Sequence, residues 1–300
     1  MKHFRGLIAA GLLGLALTAA PAWAGEPAAR AGHAVGVQYD TTHVYVPAAD
    51  FDRFVTSILA TFGGRASKQG VFQVTPTPSQ TMSQLVLTPV GSLSVFGFKT
   101  PIPYPFGDER TGYLVSDLDA AVAAARRAGA TRLVETFPDP IGRDAVIQWP
   151  GGVNMQLYWH TAAPNYAPLT TTPENRLYLT ADAADRFVAA WKSFSRGAVI
   201  SDDAKAPGAE IGKLEGTYRR IRLTSGFGRM TIAVSDGALA WPYGRDTTGY
   251  EVADLDATLA KATAAGAAVL VPAFASGDRR SAMVQFPGGY IAEIHMIVAQ

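Results

Sequence analysis

The chain repeats itself, and this repeat limits what it can fold into more than any other feature. Displaced by 137 residues, Arg110–Trp159 falls on Thr247–Met296 without a gap. "TGYLVSDLDAAVAAARRAGATRLVETF" lies over "TGYEVADLDATLAKATAAGAAVLVPAF", and the register continues through Arg143/Arg280, Gln148/Gln285 and "PGG" at Pro150/Pro287. Self-similarity at a fixed period marks one supersecondary unit used more than once. An earlier pair, "HVYVPAADFDRFV" from His43 and "RLYLTADAADRFV" from Arg176, is displaced by 133 residues. The change of offset places an insertion or deletion in the less regular stretch between the two matches.

The halves are therefore 38–160 and 174–300, joined by a Pro-, Thr- and Ala-rich linker at 161–173. Within each half the same plan is written twice. A short alternating strand ends at an aspartate, an amphipathic helix begins there, and a glycine stops it. Asp117 or Asp119 can accept bonds from the free amides of the first helical turn, and Gly129 suits the left-handed residue after the last. The β-rich runs "RLVETF", "DAVIQWP" and "NMQLYWH" follow. The expected fold is α+β, four βαβββ modules paired into two domains.

The N-terminus reads differently. Lys2 and Arg5 precede an apolar run from Leu7 to Ala20, then Ala22-Trp23-Ala24. This is the pattern of a secretory signal peptide over 1–24. The run is shorter than the ~20 residues a spanning helix needs. Residues 25–37 read as a disordered N-terminal segment, and the expected location is secreted or periplasmic. The chain has no cysteine, so packing alone must stabilise an exported fold, and thiol catalysis and thiolate ligands are excluded. A formal charge of +1 gives no reason to expect nucleic acid, or a membrane once the signal is removed.

The strand before "SDLDAAVAAARRAGA", the run "GRDAVIQWPGG" and the closing strand "VNMQLYWH", with their counterparts in the second half, resemble the vicinal oxygen chelate superfamily. That superfamily includes glyoxalase I, bleomycin-resistance proteins and extradiol dioxygenases. The resemblance implies two glyoxalase-like domains, each a pair of modules curling its sheets into a cup around a small-molecule site. It also implies one divalent metal (Fe, Mn, Zn or Ni) in such a cup, chelating neighbouring oxygens of a substrate.

Strand alternation assigns residues to the two faces. In "VNMQLYWH", Val153, Met155, Leu157 and Trp159 share the core face, while Asn154, Gln156, Tyr158 and His160 share the cup face. Likewise Glu293 pairs with His295, His43 with Tyr45, Arg176 with Tyr178, and Thr247 with Glu251. Transferred residue by residue, the family's ligand positions fall in the first half on His43, on Arg110, which cannot coordinate a metal, and on Gln156, a neutral donor. No Asp, Glu or His occurs between Arg53 and Gly107. In the second half they fall on Arg176, Thr247 and Glu293, with His295 two residues on. The candidate ligands are thus His43, Gln156, Glu293 and His295, short of the converging donors a divalent ion requires. The candidate substrate contacts are Tyr45, Arg110, Tyr158, Arg176, Tyr178, Thr247 and Glu251.

Two readings of these cups follow. Either a metal-dependent lyase, isomerase or dioxygenase uses Glu293 to move a proton, or a metal-free protein binds or sequesters a small molecule. A structural protein with degenerate cups is a third. Glu293 can also simply pair with Arg176. Arg220 and Arg222, on one face of "YRRIRL", fit either an anion site or a charged edge strand. A homodimer is left open.

Overall fold

A computed structural model describes residues 32–298. The expected signal peptide lies outside the described residues. Module one comprises β1 (Thr42–Tyr45), α1 (Phe51–Phe62), the short β2 (Arg65–Ala66) and β3 (Gly70–Phe72), β4 (Thr81–Thr88) and β5 (Gly91–Phe98). Module two comprises β6 (Gly112–Leu114), α2 (Leu118–Arg127), β7 (Thr131–Pro138), β8 (Gly142–Trp149) and β9 (Val153–His160). Module three has β10 (Glu174–Leu179), α3 (Ala181–Ser195), β11 (Ala198–Pro207), β12 (Thr217–Ser225) and β13 (Gly228–Val234). Module four has β14 (Thr247–Glu251), α4 (Leu255–Ala264), β15 (Ala268–Ser276), β16 (Arg279–Gln285) and β17 (Ile291–Ile297).

Every module closes in the same way: its first strand pairs in parallel with its last, and the helix supplies the crossover that parallel pairing requires. The helix starts are written locally. Asp117 caps α2 by accepting from the Ala120 amide at 3.0 Å, and Asp254 caps α4 by accepting from Ala257 at 2.9 Å. Gly129, at φ 105°, follows α2 in a conformation that costs any other residue strain.

Modules three and four share one eight-stranded sheet through β10 and β14. Modules one and two touch at the equivalent place by a single bridge, Thr42 to Thr111. The apolar faces follow a different partition. One core joins α2 and β8–β9 of module two to α3 and β12–β13 of module three, around Trp149, Phe187, Trp191 and Phe227. The other joins α1 and β5 of module one to β14, β16 and β17 of module four, around Phe54, Tyr250 and Phe286. The cups are thus built within halves and the cores between them.

Two expectations change. Residues 32–37 are not disordered: Ala34 bridges Val115, the Ser116 amide donates to the His33 carbonyl at 3.0 Å, and the His33 ring stacks on Phe194. Module two's exposed strand end gives this segment backbone partners that its small residues do not announce. β12 is also no edge strand, because β11 and β13 flank it. Arg220 and Arg222 turn into the second cup, while Arg219, on the other face, pairs with Asp185 and Asp202 at the surface.

Candidate functional site

The two cups have the same frame and opposite contents. In the first, β1, β4 and β5 of module one face β8 and β9 of module two across a cavity of about 340 Å³. In the second, the corresponding void is about 10 Å³, room for one water at most.

Ion pairs fill the second cup. Glu174, on β10, accepts from Arg176 at 2.8 Å and from Arg279, on β16, at 3.3 Å. Arg176 also lies 3.9 Å from Glu293 on β17. Glu293 bonds the His295 ring at 2.7 Å, and Glu251 stands 4.0 Å from the other ring nitrogen. Glu210 takes Arg220, the Tyr218 hydroxyl at 2.6 Å and the Ser276 hydroxyl at 3.0 Å, while Arg222 holds Asp278 at 2.9 Å. Burial pushes the Glu293 carboxyl up, but His295 and Arg176 outweigh it and hold it at about 2. Burial likewise opposes Arg279 and Arg176 at Glu174, and the arginines win, keeping it well below the usual carboxylate range. Gly249 belongs to this packing: a Cβ there would meet a Glu293 carboxylate oxygen at 2.8 Å.

The first cup keeps its space. His43 and Tyr45 point into it from β1, and Gln156, Tyr158 and His160 from β9. The His43 ring lies over Gly112, where a Cβ would come within 2.3 Å of Nε2. Its Nδ1 is 3.7 Å from Glu109, beyond hydrogen-bond reach, and Glu109 is engaged by the Tyr45 hydroxyl. Asp40 accepts from Ser94, from Tyr158 at 2.9 Å and from Tyr166 at 3.3 Å. Burial lowers His160, favouring the neutral imidazole. Asp144, on β8, is 5% exposed, and burial followed by Asp139, Asp40 and Glu109 pushes its carboxyl well up.

The sequence candidates therefore separate. His43, Tyr45, Gln156 and Tyr158 come together in the open cup. Arg176, Glu251, Glu293 and His295 come together in the filled one. Arg110 and Thr247 line a small crevice where the halves meet, beside Asp246 and Tyr290. Tyr178 packs on the cluster of Ala206, Ile211 and Tyr218. Sequence reasoning missed Asp40, Glu109, Asp144 and Tyr166 in the first cup, and Glu174, Glu210 and Arg279 in the second. Glu109 lay two residues beyond the stretch searched for a carboxylate. Glu174 shares a face with Arg176 by the same alternation that found Arg176.

Neither donor set fits a divalent metal. Among the described residues no three His, Asp or Glu side chains converge as ligands. The first cup carries His43, His160, Asp40, Asp139 and Asp144 on its wall, but no three of them converge, and Glu109 is engaged by Tyr45. In the second, a cation beside Glu293 would face Arg176 and Arg279.

No protein-family model matches the sequence, and neither does any curated protein. Solved structures do match over nearly the whole length. A variant of 4-hydroxymandelate synthase from Streptomyces coelicolor aligns at TM-score 0.59 and 13% identity, covering 87% of this chain and 93% of that one. The Mn(II)-bound glyoxalase from Novosphingobium aromaticivorans aligns at 0.51 and 13%, covering 88% and 82%. A 2,3-dioxygenase from Pseudomonas sp. KL28 aligns at 0.51 and 12%, covering 87% and 92%. The chain has the vicinal oxygen chelate fold, with four βαβββ modules in two paired sets.

Proposed function

We propose that the chain is a small-molecule-binding protein whose ligand occupies the first cup, while the second cup serves as a rigid structural block. One observation carries this reading: equivalent cups differ in free volume, about 340 against about 10 Å³. The larger volume is that of a small-ligand site, apolar-walled with a few convergent polar groups. The histidines and aspartates on the wall of the open cup are too dispersed to form a ligand set for a divalent metal.

Titration with one- and two-ring aromatic compounds of either charge, followed by calorimetry, tests the reading. Binding is expected to disappear in Ser83→Trp, which fills the cavity from β4, and to survive Glu251→Gln in the second cup. Loss through Glu251→Gln but not through Ser83→Trp would overturn it. A metal-dependent lyase, isomerase or dioxygenase is the competing reading, the aligned structures including a Mn(II)-bound glyoxalase and a 2,3-dioxygenase. It requires about one equivalent of Fe, Mn, Zn or Ni in protein purified without chelator, lost on His43→Ala.

The N-terminal pattern supports an exported protein. Mature material recovered from the medium or periplasm is expected to begin at Gly25; an intact Met1 in cytoplasmic material would refute export.

A further inference from the structure

We infer that the first cup selects an organic cation, a protonated amine on an aromatic or apolar body, with the Asp144 carboxylate as its counter-charge. This rests on the reading of the first cup as the ligand site.

Asp144 projects from β8 into the cavity and is 5% exposed. Among the described residues no hydrogen bond or ion pair reaches its side chain. A buried carboxylate without a partner costs several kcal/mol of desolvation, so this position is expensive unless something arrives to match it. The other carboxylates near it have partners: Asp40 takes three hydroxyls, Glu109 takes Tyr45, and Asp139 accepts from the Ile141 amide at 3.0 Å. The second cup shows how this fold answers the same problem from within, setting an arginine against Glu174, Glu210 and Glu293. Among the described residues no arginine lines the first cavity, and the one lysine on its wall is Lys68, exposed at the mouth. Asp40 and Asp139 line the same hollow and add to its preference for a cation.

The remaining wall suits the body of such a ligand. Tyr45 and Phe96 lie with ring centroids 5.2 Å apart, and Phe96 meets the His43 ring edge-on at 5.6 Å. Aromatic faces beside a buried carboxyl attract a desolvated ammonium through the ring quadrupole as well as the opposite charge. Burial, and after it the acidic neighbours, raise Asp144, the direction expected of a carboxyl with no counter-charge from the protein.

Three probes of one shape test this by calorimetry: 1-naphthylmethylamine, 1-naphthalenemethanol and 1-naphthoate. The amine is expected to bind at least ~10-fold tighter than the alcohol, and the acid weakest. Asp144→Asn, close in shape to the protonated acid and so compatible with folding, should bring the amine down to the alcohol's affinity and leave the alcohol's unchanged. Asp139→Asn, nearer solvent, should change the amine less than about threefold because exposed charge is screened. If the alcohol or the acid binds as tightly as the amine, and Ser83→Trp abolishes that binding, the cation inference falls and the ligand site stands. If none of the three binds, both fall.

Discussion

Glu174→Gln is expected to lower folding stability by about 3–5 kcal/mol, the cost of stranding a buried charge by removing its partner. The substitution keeps the side chain's shape and removes only its charge. Glu174 is 3% exposed, and Arg176 and Arg279, at 9% and 5%, both lean on it. After the change Arg279 loses its close partner within the cup, and Arg176 keeps Glu293 at 3.9 Å as its nearest carboxylate. Equilibrium urea unfolding measures the loss; an unchanged midpoint would mean that solvent reaches the cluster.

The same carboxylates set an acid limit. Glu293 and Glu174 bind protons less readily in the folded chain than in the unfolded one, where the ordinary value is 4.5. Their stabilisation is therefore complete above about pH 4.5 and is lost as pH falls, for Glu293 through about 2. Glu174→Gln should flatten that acid limb, since its share is already gone. Asp144, raised when folded, acts in the opposite sense: it favours the folded state below its ordinary 3.8 and loses that contribution as pH rises through its elevated value.

Trp191→Ala should cost a comparable ~3–5 kcal/mol, the range for deleting a large core aromatic. Trp191 lies on α3 yet packs across the boundary between halves, against Trp149 at 5.4 Å and Tyr113 at 5.7 Å as well as its own module's Phe227 at 5.6 Å. Its removal opens a cavity in the core that ties module two to module three. Domains of this kind retain only about 5–15 kcal/mol in total, so soluble yield should fall along with the urea midpoint. A loss below about 1 kcal/mol would show that the neighbouring rings collapse into the space.

Much of this architecture was legible in the residues. The 137-residue repeat specifies the module plan, and period-two alternation in 153–160 separates Met155 and Leu157, in the core, from Gln156 and Tyr158, in the cup. Those are local regularities. Which cup stays hollow is not local, because it depends on whether charges distant in the chain meet. Glu174 and Arg279 are 105 residues apart, and Glu210 and Ser276 are 66 apart. Arg220 and Arg222 looked like surface residues because charge usually is; Glu210, between β11 and β12, and Asp278, in the turn before β16, take them inside. Glu109 sits between strands, where alternation assigns no face. Asp144 lies within "GRDAVIQWPGG" on β8, and nothing local in that run shows that the opposite wall of the cup leaves it without a partner.

Because each core draws on both halves, the hollow half and the solid half share one melting event. A molecule seated between modules one and two stabilises the whole native chain by RT ln(1 + [L]/Kd), whichever residues it touches. Heating should then disrupt the arginine–glutamate block later when the distant hollow is occupied, although no atom of the ligand lies near it. Occupancy in one half thereby lengthens the lifetime of the other.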